Sequence, residues 1–326
     1  MKAGFIFDLT QERIVLLLAA GLLVVFSTTI TGFLQPDNIL SIVQNVSVLG
    51  ILGIAMAISI IGRGIDLSIV SIMAYAVAWT LALTGTGMSL WLAVALGAGF
   101  AACAGLVNGY LIAYAEIPAI FATLASGTAI YGFGQYFLVS VDVVYLPPDF
   151  GFLQFIGSGR TYGIPNIVFS FAVMALAVYL LLQKTVFGRY LYAMGDNPAA
   201  ARSSGIPTRP LMVAQYVLSA LIGYVAGLVT ATAVASMNTR VVNSTLVYDV
   251  ILVAVIGGIS LSGGRGSIRN VLVGTVLIGI LLNGMTMLNM PYTAQNIVKG
   301  AVLLIAIIAD SYFNPRDEQT SQQGDI

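Results

Sequence analysis

The residues best suited to covalent chemistry are two serines set among glycines, Ser260 and Ser262, in Ile256-Gly257-Gly258-Ile259-Ser260-Leu261-Ser262-Gly263-Gly264-Arg265-Gly266. A serine nucleophile needs a base beside it, and the chain contains no histidine, so a Ser-His hydrolase is ruled out. Leu261-Ser262-Gly263-Gly264-Arg265 is close to the ATP-binding signature Leu-Ser-Gly-Gly-Gln. That chemistry also requires Gly-x-x-x-x-Gly-Lys-Ser/Thr, and none of Lys2, Lys184 and Lys299 follows such a glycine pattern. A tight turn between two helices explains the glycines better. Zinc hydrolysis lacks a His or Cys cluster, since Cys103 is the only cysteine. A single cysteine also excludes an intrachain disulfide. Paired carboxylates at helical spacing within an apolar run are absent. The chain reads as a non-enzyme that uses no cofactor.

What remains is a sparse set of polar residues in or near long apolar runs: Asp66, Asn108, Thr123, Asn238, Asn283 and Lys299. Asp66 either caps the helix that follows it or serves a gate near Arg63. The asparagines and Thr123 either bond neighbouring helices or meet a solute in a pathway. Lys299 is a cation well inside the last apolar run, where charge is costly and faces a cavity or a partner. Tyr75, Tyr131, Phe133 and Tyr136 could stack on a solute, but rings in such runs more often meet lipid or other helices.

The elements that position these residues are set by the solvent. Hydrophobic residues make up 59% of the 326 residues and charged residues 8%, with a mean hydropathy of +0.98. A soluble surface takes roughly 25% charged residues, so this is a membrane protein. A formal net charge of zero gives no pointer to nucleic acid. Lys2, Asp8, Glu12 and Arg13 lead into an apolar run too long for a signal-peptide core, which is read as a retained first helix. One crossing takes about 20 residues, and ten spans are predicted: 12–32, 46–62, 67–84, 90–114, 118–140, 164–183, 211–236, 248–262, 268–289 and 292–312. The fold class is all-α, a single transmembrane domain over 1–326 with a polar, non-helical connector at 141–163 and a short tail at 313–326. Alternation places Lys2, Arg13, Arg63, Lys184, Arg189, Arg202, Arg209, Arg265, Arg269 and Arg316 on one side and Arg160 and Arg240 on the other. Both termini are therefore expected in the cytoplasm. Gly97, Ala101, Gly105 and Gly109, and likewise Gly223 and Gly227, form small-residue stripes for close helix packing. Gly64-Ile65-Asp66-Leu67-Ser68 is weakly echoed by Gly258-Ile259-Ser260-Leu261-Ser262, as two related halves would produce.

Residues 184–210 form a loop whose middle spells a short helix. Asn197 suits the N-cap and Pro198 the first helical position. Ala199, Ala200 and Ala201 are strong helix formers, Gly205 can close the end in a left-handed turn, and Pro207 blocks continuation. Two turns of helix are not stable alone in water. Either the helix lies on the membrane surface, or its small-residue face docks into a cytoplasmic partner.

Gly188-Arg189-Tyr190-Leu191-Tyr192-Ala193-Met194-Gly195-Asp196-Asn197, followed by Ala199-Ala200 and Ser204-Gly205-Ile206, resembles the coupling-loop motif of ribose-type ABC permeases, a family serving ribose, arabinose, xylose, galactose and similar uptake systems. Gly64-Ile65-Asp66-Leu67-Ser68, Pro118-Ala119-Ile120-Phe121-Ala122-Thr123-Leu124 and the 256–266 segment are similar to three further motifs of that family, in the same order. The resemblance covers nearly the whole chain. It implies a bacterial inner-membrane permease paired with a second permease copy, identical or different, two cytoplasmic ATPase subunits and a periplasmic sugar-binding protein. It assigns the ATPase contact to Gly188, Gly195, Asn197, Ala199, Ala200 and Gly205. Pathway or gating roles are expected among Asp66, Asn108, Thr123, Asp249, Asn283 and Lys299. Two departures stand out. Leu246-Val247-Tyr248-Asp249 replaces the family's Tyr-Glu-Leu-Asp, keeping the aspartate and losing the glutamate, and Val70 stands where a glycine is usual before Ser71. Other solutes within reach of the resemblance are autoinducer-2, a polyol, a nucleoside or a branched-chain amino acid. An ion-coupled secondary transporter is disfavoured by the coupling-loop motif.

Overall fold

The computed structural model describes residues 11–148 and 150–313. Lys2 and Arg316, used above to orient the chain, and the tail beyond 313 lie outside the described residues. The helices are α1 (Gln11–Thr29), α2 (Pro36–Ile61), α3 (Ile69–Gly85), α4 (Leu90–Ala113), α5 (Ala119–Phe133), α6 (Gly151–Ser158), α7 (Asn166–Lys184), α8 (Val186–Asp196), α9 (Pro198–Ser203), α10 (Thr208–Val234), α11 (Leu246–Gly257), α12 (Ile268–Met287) and α13 (Tyr292–Phe313). Each of the ten segments predicted from sequence contains one long or apolar helix. Seven of these, α1, α2, α4, α7, α10, α12 and α13, are long and apolar enough to cross a membrane. The other three are shorter: α3 has 17 residues, α11 has 12, and α5 has 15 before a π-helical turn at Gly134–Leu138 extends it.

Sequence reasoning differs from the structure at three places. α2 begins ten residues before the expected 46, with Pro36 at its first position; Gln44 and Asn45 interrupt its apolar run without interrupting the helix. The connector expected to be non-helical holds α6, together with β1 (Val143–Tyr145) and β2 (Arg160–Thr161), and β3 (Ile164–Pro165) follows it. β1 pairs antiparallel with β4 (Ser236–Asn238), Val143 opposite Asn238, and β2 pairs with β3. The fold is thus helical with two small two-stranded sheets rather than purely helical. Finally, the basic loop contains α8 as well as the expected short helix α9.

α10, 27 residues long, is the central post, packed against α4, α2, α3 and α6. The small-residue stripes set its spacing. A side chain at Gly105 or Gly109 would run into the α10 backbone at Tyr216–Val217 or Val213, and one at Gly223 or Gly227 would meet Ile69, Met73 and Val77 of α3. These glycines therefore serve helix packing within the subunit, which in lipid depends on close van der Waals approach.

Candidate functional site

Three of the polar residues singled out in the sequence meet at the break between α2 and α3. After Ile61 the backbone at Arg63 turns left-handed, φ 67°, and the Gly64 N–H reaches back to Ser59 O at 2.8 Å. The chain then runs without helical hydrogen bonds to Ser68, and irregular backbone inside a helix bundle must be satisfied by protein. Thr123 of α5 supplies one partner: its Oγ1 accepts from the Leu67 N–H at 3.1 Å and lies 3.1 Å from Ile65 O. Asp66, fully buried, accepts through Oδ1 from the Ser68 N–H (3.1 Å) and hydroxyl (2.6 Å), and through Oδ2 from Ser219 Oγ of α10 at 2.9 Å. Asn108 of α4 donates to Ser68 Oγ at 2.7 Å. Asp66 thus holds the turn before α3, while Ser68 is the N-cap residue. The four helices α3, α4, α5 and α10 are tied to one seven-residue break.

The 258–267 segment between α11 and α12 repeats this geometry. Ser260 Oγ lies 2.8 Å from Ser262 Oγ and accepts from the Ser262 N–H at 3.4 Å, the pattern that Asp66 makes with Ser68. Here the carboxylate comes from elsewhere: Asp310 of α13 accepts from the Leu261 N–H at 3.0 Å and from Ser260 Oγ at 3.3 Å. The weak sequence echo between the two segments is therefore a shared turn with the acid moved from loop to helix. Gly258, Gly263, Gly264 and Gly266 all have positive φ, which explains the glycine run without invoking nucleotide.

Asp249 and Lys299, 50 residues apart, form a buried ion pair. Lys299 Nζ lies 2.9 Å from Oδ1 and 3.0 Å from Oδ2 of Asp249 and donates to Thr245 Oγ1 at 2.8 Å. Both residues are under a tenth exposed. The Tyr292 ring lies 5.4 Å from Nζ, and its hydroxyl is 2.9 Å from Thr245 Oγ1. The pair fastens α13 to α11, the chief neighbour of α13. Asn283 stands apart from all of these, exchanging two hydrogen bonds with Asn38 at 2.9 and 3.1 Å. Asn238 accepts from the Arg240 N–H at 2.9 Å and starts the 3-10 turn Thr239–Asn243.

The basic loop is a folded element. Thr185 caps α8, and Asn197 caps α9 by accepting from the Ala200 N–H at 3.0 Å. Pro198 opens α9 and Gly205, φ 80°, follows its end. Gly188 is buried against the Leu182 backbone, and Gly195 against Ile61 O and the Gly264 N–H. That N–H donates to Ile61 O at 2.8 Å. Tyr192 donates to Gly266 O at 2.8 Å, and burial pushes its phenol up, keeping it a donor. Ala199, Ala200, Ser203, Ser204 and Gly205 remain exposed. Of the residues expected at the ATPase contact, then, Gly188 and Gly195 face the chain's own backbone. Asn197, Ala199, Ala200 and Gly205 lie on the open surface.

Apolar helices broken at buried polar nodes, with a folded basic element between α7 and α10, define a multi-pass membrane protein of the permease class. The chain belongs to the ribose-type ABC permease family of the inner membrane. Residues 38–307 match the family described as branched-chain amino acid transport system permease component. The chain is 32% identical to the ribose import permease protein RbsC of Escherichia coli strain K12, covering 92% of this chain and 93% of that one. It is 34% identical to RbsC of Bacillus subtilis strain 168, over 89% of each. It is 31% identical to the L-arabinose transport system permease protein AraH of Escherichia coli strain K12, over 90% of each. No solved structure matches the chain significantly.

Sequence reasoning did not single out Ser219 or Asp310, and it named Asp249 and Lys299 without pairing them. Asp310 carried a signal, an acid near the end of an apolar helix, whereas Ser219 in a long apolar run carried none.

Proposed function

We propose that this chain is the ten-span permease of an ABC importer for a monosaccharide, with both termini cytoplasmic, working as one of two permeases with two ATPase subunits and a periplasmic binding protein. The observation that carries the reading is the exposed face of α9. Small residues let a partner approach the backbone closely, and local caps form the helix before any partner arrives. Gly188 and Gly195 anchor the element from below, and Asn197, Ala199, Ala200 and Gly205 meet the ATPase. Because Gly195 has no side chain, a push on α9 reaches Ile61 and Gly264, the two helix breaks, through backbone contact.

Contacts among connectors support the alternation of ten spans. β1 with β4, Thr245 with Tyr292, and Asn38 with Asn283 join connectors or helix ends expected on the outer side. Ile61 with Gly264, Glu116 with Arg209 (2.8 Å), and Leu261 with Asp310 join connectors or helix ends expected inside. The described residues of the inner set carry Arg13, Arg63, Lys184, Arg189, Arg202, Arg209, Arg265 and Arg269, which favours a cytoplasmic location.

The sugar reading draws on relatives that are ribose and arabinose permeases. The description of the matching family favours a second reading, a branched-chain amino acid permease. Reconstitution with the cognate ATPase and binding protein, offering ribose, arabinose, xylose, galactose and leucine, separates them. Import of leucine and of no pentose or hexose overturns the sugar reading, and import without ATP overturns the ABC reading. Gly205→Glu places bulk and charge on the docked end. It is expected to abolish uptake and ATPase pull-down while leaving membrane insertion intact; unchanged pull-down counts against the α9 contact.

A further inference from the structure

Two of the shorter apolar helices of the bundle, α3 and α11, begin beside the same cleft. The cleft has a volume of about 380 Å³ and is lined by Leu67 and Ser71 at the start of α3, by Gly127, Thr128 and Tyr131 of α5, and by Asn243, Ser244 and Tyr248 around the start of α11. This is within the size range of small-molecule sites, about 300–1,000 Å³. Two larger grooves, lined by residues such as Phe100, Val107 and Phe133 or Leu106 and Tyr110, are almost wholly apolar, as lipid-facing surfaces are. A cleft rich in hydroxyls and amides is costly to turn to lipid, and broken or shortened helices meeting at a polar cavity are the usual construction of a transporter's solute site.

Several of the lining groups are unused. Among the described residues the side chains of Ser71, Tyr131, Asn243 and Tyr248 make no hydrogen bond, and Ser71 is 97% buried. The chain leading into each helix is partly committed, although neither N-cap residue, Ser68 or Thr245, makes a side-chain cap bond. The Leu67 and Ser68 N–H groups go to Thr123 and Asp66, and the Leu246 N–H goes to Ser244 Oγ at 3.2 Å. Lys299 lies in a separate small pocket on the far side of Thr245 and Tyr248, bound to Asp249. An anionic or zwitterionic solute would find no cation among the residues that line the cleft. A neutral polyhydroxylated solute finds hydroxyl, amide and aromatic faces.

We propose that this cleft is a binding station on the translocation path for a neutral polyhydroxylated solute, with Ser71 and Asn243 as hydrogen-bonding residues and Tyr131 and Tyr248 as stacking surfaces. The ligand class rests on the sugar reading above; the location does not. In a Cys103→Ser background, Ser71→Cys and Thr128→Cys are assembled with the ATPase and binding protein in proteoliposomes and exposed to a charged, water-borne thiol reagent. The expected result is labelling in at least one nucleotide state, slowed by solute, with loss of uptake. No labelling in any state, or labelling with uptake intact, overturns the location. Blocked uptake of a solute that proves to be leucine keeps the location and overturns the ligand class. For the hydrogen bonds, Ser71→Val and Asn243→Leu are expected to lower sugar uptake roughly fivefold each, with ATPase stimulation by loaded binding protein unchanged. An equal fall in both readouts marks a coupling defect and overturns the contact.

Discussion

At the scale of single residues, a lysine and an aspartate buried between two apolar helices call for a physical reason. Lipid supplies no hydrophobic force to bring helices together, and the outward face of α13 is apolar, with Ile297, Leu304, Ile305 and Ile308 exposed. Its attachment rests on polar contacts: Lys299 to Asp249 in its first half, Tyr292 to Thr245 at its start, and Asp310 to Leu261 near its end. Removing one member of such a pair strands the other. Lys299→Met and Asp249→Leu are each expected to destabilise the detergent-solubilised protein by about 3–5 kcal/mol, read as a lowered unfolding midpoint. The double variant is expected to recover most of that loss, because the apolar pair needs no desolvation. A double variant no more stable than the singles would show that the pair does more than dock α13. From sequence, Lys299 was visible as an anomaly, since charge in an apolar run stands out. Its partner was not, because nothing in either segment's composition points across 50 residues.

At the scale of elements, legibility followed how local the determinants are. α9 could be read almost residue by residue, because cap, helix formers and terminating glycine all act within a few positions. α8 was hidden: Gly188 and Gly195 were expected at the ATPase contact as parts of a loop motif, yet backbone of this chain passes against both. The two elements are expected to respond differently to substitution. Asn197→Ala removes the α9 cap, worth about 1 kcal/mol, and should weaken ATPase pull-down while leaving the unfolding midpoint of the permease alone. Gly195→Val pushes against Ile61 and Gly264 and should lower both. Equal effects of the two would mean that α9 is not an independent docking element. The first turns of α2 were missed because their polar residues, among them the exposed Asp37, Ser41 and Asn45, look in sequence like the end of a span.

At the scale of the whole molecule, the proposed alternation gathers the contacts of Glu116 with Arg209 and of Ile61 with Gly264 on the side that carries almost all of the basic residues. The exposed ion pair between Arg240 and Asp142, 2.6 Å, belongs to the other, where the neighbouring carboxylate pushes the guanidinium further up. Single cysteines at Lys184 and Arg202, in a Cys103→Ser background, are expected to react with an impermeant reagent only from the cytoplasmic side, and cysteines at Arg160 and Arg240 only from outside. Any exchange between the sets would overturn the ten-span alternation.

By itself, the amino-acid sequence determined the solvent, the positions of the ten apolar segments, the short helix of the basic loop and the family. All of these rest on composition, local signals or contiguous motifs. The tertiary structure alone decided which polar residues meet: Asp66 with Ser219 across 153 residues, Asn38 with Asn283 across 245, and Asp249 with Lys299. In water, the buried face of a helix is apolar and the exposed face polar, so periodicity reveals which side packs. In lipid both faces are apolar, and the rotation of each helix, with every contact that depends on it, is set by packing against neighbours.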